Sequence, residues 1–367
     1  MGNQASKIMD KAKDRSTDRK SRHPSRALSV KSSSAASTSE QPSLSSKMNF
    51  ADTTFQAIPP NLKPSRSQKT NKSGVVIDQD DFKEIDRSQR QHYVLKSIRK
   101  TNHWAPYNRD GVILDIGTGH GDWAYEVAST YPKSKIIALD LNPPHAPATI
   151  LNNLVFKHID ITQRWDIEDN SVDFVFQRDM NRVLLKSNWD HILREMYRVT
   201  QPGGVLEILE SGKANWLYYS IENGRRGQIK TPRVIDRFTT DFFHYNAGPV
   251  QAHADEFFKA QCEHIGRDCD LADHLAADLI NVGFINVEQK SLDIPVGEWP
   301  SDPNLKQIGF NNFELQRSKL KSLRSAYVED MGLSGDDYDA ASKLILAEFE
   351  EYQGYTKWVC WTAEKPS

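Results

Sequence analysis

Residues 112–123, Val112-Ile-Leu-Asp115-Ile-Gly117-Thr-Gly119-His-Gly121-Asp-Trp123, carry the sharpest chemical signal in the chain. A short apolar run enters three alternate glycines and leaves into a helical pattern. Glycine permits positive φ in such a turn and puts no Cβ between backbone and ligand. With a strand before it and a helix after it, the turn has the context in which nucleosides and nucleotides bind. Dinucleotide sites use G-x-G-x-x-G and seat a pyrophosphate over the helix N-terminus. Here the spacing is G-x-G-x-G, and Asp122 falls where the third dinucleotide glycine would stand. A carboxylate there repels phosphate. Asp115, two residues before the first glycine, suits a ligand that carries an ammonium group. Both features favour a cationic nucleoside over a dinucleotide.

Two more acids keep step with the turn. Asp140 closes the next apolar run, 19 residues beyond Gly121, where a carboxylate can accept hydrogen bonds from both ribose hydroxyls. Asp160 follows the third run and could meet an adenine amino group. Asp at a strand end also caps turns, and that reading competes most strongly at Asp160. Three glycines and three acids at successive strand ends are hard to obtain from packing alone.

The elements that must position these residues read as alternating strands and helices. Ile85, Tyr93, Leu95 and Ile98 show helical spacing ahead of the turn. Strands are expected at Val112–Ile116, Ile136–Leu139, Val155–Ile159, Val172–Phe176 and Val205–Leu209. Helices are expected at Trp123–Ser129 and through Ile192, Leu193, Met196, Tyr197 and Val199, the latter stopping at Gln201-Pro202-Gly203-Gly204. Alternation of this kind implies right-handed crossovers and a mostly parallel, doubly wound α/β sheet.

At this point the sequence resembles the class I S-adenosylmethionine-dependent methyltransferases. The likeness lies in Leu114-Asp-Ile-Gly-Thr-Gly-His-Gly121, Ala138-Leu-Asp140-Leu141, Val172-Asp-Phe-Val-Phe-Gln177 and Arg198-Val-Thr-Gln-Pro-Gly-Gly204. It looks most like the fungal methyltransferase-domain proteins related to secondary-metabolism regulators, which carry a helix like Asp86-Arg-Ser-Gln-Arg-Gln-His-Tyr93 before the domain. The resemblance spans roughly residues 82–367, strongly over 110–210. It implies a Rossmann-like, seven-stranded sheet with an antiparallel last strand, and S-adenosyl-L-methionine as cofactor. It also implies that Gly117, Gly119 and Gly121, with Asp115 and Thr118, line the methionine and ribose. Asp140 would bind the ribose hydroxyls, Asp160 with Ile161 would flank the adenine, and Leu141 would also belong to the cofactor site. Gln177 and Arg178 would lie nearest the sulfonium and the acceptor.

The acceptor is not readable. Asn142-Pro-Pro-His145 resembles a motif of amino-group methyltransferases but follows the second strand, so it reads as a loop breaker. After the fourth strand stands Gln177-Arg-Asp-Met-Asn181, which assigns neither O-, N- nor C-methylation; Arg178 and Asp179 equally suit a structural ion pair. No residue qualifies as a general base, and positioning of the reactants can suffice.

Beyond the fifth strand, residues 211–270 form an insertion containing Trp216, Tyr218, Tyr219, Phe238, Phe242, Phe243 and Tyr245, expected to cover an acceptor pocket or to pack as a subdomain. A helix at Leu271–Val282, a strand at Phe284–Gln289, helices near Phe313–Tyr327 and Tyr338–Tyr352, and a strand near Trp358–Thr362 complete the sheet. His253, Cys262, His264, Cys269 and His274 lack the regular spacing of a zinc site; buried cysteines and surface histidines explain them.

The net charge of −2 over 367 residues is a cancellation. Residues 1–74 hold 14 Lys and Arg against five Asp and Glu, and 16 serines; residues 75–367 hold 33 against 44. The arm has no hydrophobic period and is expected to be disordered, outside a domain at 75–367. Three cysteines exclude a disulfide scaffold and suit a cytoplasmic or nuclear setting. No apolar run is long enough to span a bilayer. An acidic body gives no strong nucleic-acid signal. The opening Met1-Gly2-Asn3-Gln4-Ala5-Ser6 fits N-myristoylation at Gly2, and seven basic residues within positions 1–22 could add a peripheral membrane contact, though Asp10, Asp14 and Asp18 dilute them. A solvated tail is the competing reading; unchanged membrane partition of a Gly2→Ala protein would support it.

Three functions follow: a methyltransferase with an unidentified small-molecule or protein acceptor, a regulatory protein that binds the same nucleoside without turnover, and a nicotinamide-dependent oxidoreductase, which Asp122 disfavours.

Overall fold

The computed structural model describes residues 82–144, 151–212, 244–246, 248–331 and 334–367. The basic arm with Gly2, the boundary near residue 75, His145 and the insertion aromatics from Trp216 to Phe243 lie outside the described residues. The elements are α1 (Phe82–Arg99), β1 (Val112–Ile116), α2 (Asp122–Thr130), β2 (Lys135–Asp140), β3 (Leu154–His158), β4 (Val172–Arg178), α3 (Trp189–Val199) and β5 (Thr200–Ser211). They continue with β6 (His244–Tyr245), α4 (Pro249–His264), α5 (Leu271–Val282), β7 (Ile285–Pro295), α6 (Pro303–Met331), α7 (Gly335–Glu351) and β8 (Tyr355–Glu364).

The sheet runs β3-β2-β1-β4-β5-β8, with β6 and β7 both pairing β8. Strands β1 to β5 are parallel, and β8 is antiparallel to β5, β6 and β7. The order reverses between β1 and β4, which opens a crevice at the carboxyl ends of these two strands. Seven strands match the expectation from sequence; the eighth is the two-residue β6.

Side chains alternate between two layers, as the period of a strand demands. From β1, Leu114 and Ile116 enter a core with Val175, Leu206, Ile208 and the buried face of α3. Ile113 points the other way, to Phe174, Phe176 and the buried face of α2. Both sheet faces are therefore covered, which explains why the strand cores are continuous apolar runs. Asp115 lies on the α2 face by the same alternation. It is the one acid in an otherwise apolar strand, and it is 3% exposed.

Several boundaries differ from the sequence reading, among them the end of β7 at Pro295 and the helix α4 inside the insertion; two have plain physical reasons. Strand β5 begins at Thr200, not at Val205, and Gln201–Gly204 is its irregular start: pairing with β4 shifts between Val172 and Phe174, and Gly203 takes φ +70°. A bulge accommodates Pro and Gly inside a strand. Helix α6 begins at Pro303, ten residues before Phe313, because the Asp302 side chain accepts hydrogen bonds from the amides of Asn304 and Leu305 at 2.9 Å each. An acidic cap followed by proline at the first helical position was a readable start signal.

Candidate functional site

The turn after β1 holds Gly117, Gly119 and Gly121 at φ +68°, +57° and +82°, a region that non-glycine residues enter at a cost of roughly 1–2 kcal/mol. The three differ in what surrounds them. A Cβ on Gly117 would strike the Met180 side chain, and one on Gly121 would lie 2.9 Å from the Phe156 ring, whereas one on Gly119 would meet nothing within 4 Å. Gly117 and Gly121 are small because the protein fills their space. Gly119 faces an opening.

The acids lie where the strand ends place them. Asp140 closes β2 beside the turn; its Oδ2 accepts from the Gly119 amide at 2.9 Å and its Oδ1 from the Asn142 amide at 2.8 Å. Each oxygen keeps a second lone pair for another donor. Thr118 donates its hydroxyl to Asp115 Oδ2 at 2.6 Å. Burial pushes the Asp115 carboxyl up to about 7, with Thr118 and Arg178 opposing the rise and Asp140 adding to it. Asp160 is exposed, and its Oδ1 accepts from both the amide and the hydroxyl of Thr162. That is the turn-capping arrangement weighed for it from sequence. Ile161 is buried in the core beside it and Leu141 is 54% exposed.

Gln177 and Arg178 leave β4 on opposite faces. Gln177 is fully buried and donates to Glu210 Oε1 at 3.2 Å, while its own Oε1 has no partner among the described residues. Arg178 donates to His92 Nδ1 at 3.1 Å. Arg178 and Asp179 do not form the ion pair considered from sequence: Asp179 accepts from Gln91 at 2.7 Å and pairs with Arg182 at 3.4 Å. Burial raises the Asp179 carboxyl, but Arg182, Lys319, the Gln91 hydrogen bond and Arg87 together hold it below the usual carboxylate range.

Helix α1 closes one side of the site, through residues whose roles were not assigned from the sequence. Ser88 donates to Asp122 at 2.6 Å, and Gln91 reaches the loop after β4. His92 is 2% exposed and bridges Arg178 to Glu126, with Nε2 2.5 Å from Glu126 Oε2. Burial, with Arg178 nearby, brings its imidazole down to about 3. Arg178 can only donate, so the His92 proton sits on Nε2 and points at Glu126. The helical spacing of α1 was legible, but nothing in it says that three polar side chains turn inward.

Glu210, near the end of β5, fixes the loop that carries these groups. It accepts from the amides of Met180 and Asn181, at 3.0 Å each, besides Gln177. This acid was also not identified from sequence, although a Glu in a strand core is a visible anomaly. Of the cysteines and histidines weighed as metal ligands, Cys262 is buried, and His274 pairs with Asp268 and Asp278. His264 is exposed, and the His253 side chain lies outside the described residues.

Residues 113–204 match the family model described as a methyltransferase domain. The chain is 30% identical over 231 residues to the methyltransferase pytC of Aspergillus terreus, covering 62% of this chain and 63% of that one. It is 24% identical over 233 residues to the protein-methionine methyltransferase laeA of Emericella nidulans, covering 62% and 55%. The alignments thus span less than two thirds of these relatives' lengths. Among solved structures, a phosphoethanolamine N-methyltransferase of Haemonchus contortus aligns at 17% identity and TM-score 0.40, over 80% of this chain and 61% of that one. The glycine turn, the acid in register with it and the strand order all fall inside the matched segment or beside it. Residues 113–204 thus carry the likeness to a methyltransferase domain, and the similarity to the fungal relatives extends over 231 to 233 residues.

Proposed function

We propose that this protein is an S-adenosylmethionine-dependent methyltransferase. One observation carries the reading: Gly119 opens onto free space at the switch point while its amide is tied to Asp140. A nucleoside can approach the backbone there and meet a carboxylate that still has lone pairs to offer. The donor set fits this cofactor better than a dinucleotide. Asp115, Asp122 and Asp140 cluster about the turn, and acids attract an ammonium and a sulfonium but repel a pyrophosphate. In this reading Gly119 and Asp140 hold the ribose side, and Leu141 and Ile161 flank the base. Thr118 and Asp115 serve the amino-acid end, with Gln177 and Arg178 beside it. The bound cofactor supplies an electrophilic methyl group; the protein orients it and excludes water.

Calorimetry tests this directly. S-Adenosylhomocysteine should bind the wild-type protein at micromolar concentration or tighter, and NAD should give no heat of binding. Binding of NAD without the thioether would return the oxidoreductase reading.

A further inference from the structure

A second feature lies apart from the glycine turn. The described residues line a partly open cavity of about 110 Å³ beside the carboxyl end of β5, with Phe258, Leu320, Ile345 and Phe349 among its apolar walls. Ser211, His244, Asp255 and Lys319 supply polar groups to the same walls. The volume is on the scale of one ring, since a cavity of about 150 Å³ admits benzene.

His244 is held rigidly. Its backbone pairs with Thr356 in β8 through β6, and its Nδ1 lies 3.0 Å from both oxygens of Asp255. Asp255 is 4% exposed and also accepts from the Gln251 side chain at 2.7 Å, one helical turn earlier on α4. A carboxylate so placed accepts a hydrogen bond from Nδ1–H and leaves the Nε2 lone pair for another group, the division of roles seen wherever an acid orients a histidine base. Nε2 has no hydrogen-bond partner among the described residues. The charged side chains that line the cavity with His244 are Asp255 from α4, Lys319 from α6, Lys357 from β8 and Arg182 from the loop after β4.

The cavity adjoins the methyl-transfer site through shared residues. Ser211 Oγ donates to Asp179 Oδ1 at 3.2 Å, and Asn181 donates to the Ser211 carbonyl at 2.6 Å. Asp179 directly follows Arg178 at the end of β4.

We propose that this cavity takes the methyl acceptor, that the acceptor is a small phenol or enol, and that His244, oriented by Asp255, removes its proton. The inference rests on the methyltransferase reading above. Amines and thioethers attack a sulfonium with a lone pair they already hold. A neutral hydroxyl must lose a proton, and that is the task the dyad is built for. In the step, the acceptor O–C bond forms and the methyl C–S bond breaks, its electron pair staying on sulfur as a neutral thioether. The hydroxyl proton passes to His244 Nε2.

The test uses phenol, which needs a base, and 4-nitrophenol, which is already ionised at mildly alkaline pH. With S-adenosylhomocysteine present, phenol resonances should broaden on adding wild-type protein and stay sharp with Ala254→Trp, which plugs the cavity. Labelled methyl should pass from S-adenosylmethionine to both phenols. His244→Ala should lose roughly 100-fold on phenol and less than about fivefold on 4-nitrophenolate, with phenol broadening retained; Asp255→Asn should follow the same pattern more weakly. S-Adenosylhomocysteine calorimetry on every variant reports folding and the cofactor reading separately. Intact thioether binding with no phenol broadening, or equal losses on both phenols, overturns the proposal and leaves the cofactor reading standing. Absence of thioether binding in the wild type overturns the reading beneath it.

Discussion

Gly119→Arg should weaken S-adenosylhomocysteine binding at least 100-fold, equivalent to about 2.7 kcal/mol, while costing the fold only about 1–2 kcal/mol. The asymmetry follows from the local space. A side chain at Gly119 meets no protein atom within 4 Å, so the penalty to folding is the left-handed backbone alone, and the new side chain projects where the nucleoside must lie. Gly117→Ala should behave in the opposite sense. Its Cβ collides with Met180, so stability falls first and binding follows from that loss. Paired urea denaturation and calorimetry on the two variants separate these outcomes. Equal binding losses with equal destabilisation would mean that Gly119 is only a turn residue.

Glu210→Ala should destabilise the protein by about 3 kcal/mol or more. The change strands the Met180 and Asn181 amides and the Gln177 side chain, each a buried group that costs roughly 1–3 kcal/mol without a partner. The same carboxyl gives a pH signature. Burial, with Asp179 nearby, raises it to about 8 from an ordinary 4.5, against its hydrogen bonds from Asn181, Met180 and Gln177. Across that interval the folded state binds more protons than the unfolded chain, so stability falls as pH rises. Its contribution is complete below about 4.5 and lost as pH passes 8. Asp115 acts in the same direction between 3.8 and about 7. Kept protonated, Glu210 has an O–H to offer beside Gln177, whose buried Oε1 otherwise has no partner. Glu210→Gln should therefore flatten the fall in stability between pH 5 and 8 and destabilise less than the alanine. Chemical denaturation at a series of pH values reads both; a slope unchanged in the glutamine variant would assign the proton uptake elsewhere.

Much of the fold was legible because periodicity and punctuation agree. Val112–Ile116 was read to the residue, since a short run between glycines, apolar but for Asp115, has one structural meaning in a doubly wound sheet. Helix α3 was placed by its apolar stripe. The misplacements occur where local contacts override pattern, as at the Asp302 cap and at Gln201–Gly204, where the sheet absorbs residues that read only as a helix stop. The site was legible in part for a similar reason. Glycines and acids at strand ends are local signals. His92, Glu210 and the His244–Asp255 pair acquire their settings only from contacts 11 to 86 residues away in the chain, and no spacing announces those. Asp160 shows the limit from the other side: the residue stands in register, but its Oδ1 is committed to Thr162.

The central claim is that the open face of Gly119, with Asp140, serves methyl transfer. The measurement that tests it most directly is transfer of labelled methyl from S-adenosylmethionine into a cell extract by the wild-type protein and by Gly119→Arg. The expected result is label in acceptor molecules with the wild type and background counts with the variant. Background counts from a wild-type protein that still binds S-adenosylhomocysteine would contradict it and leave a nucleoside-binding regulator in its place.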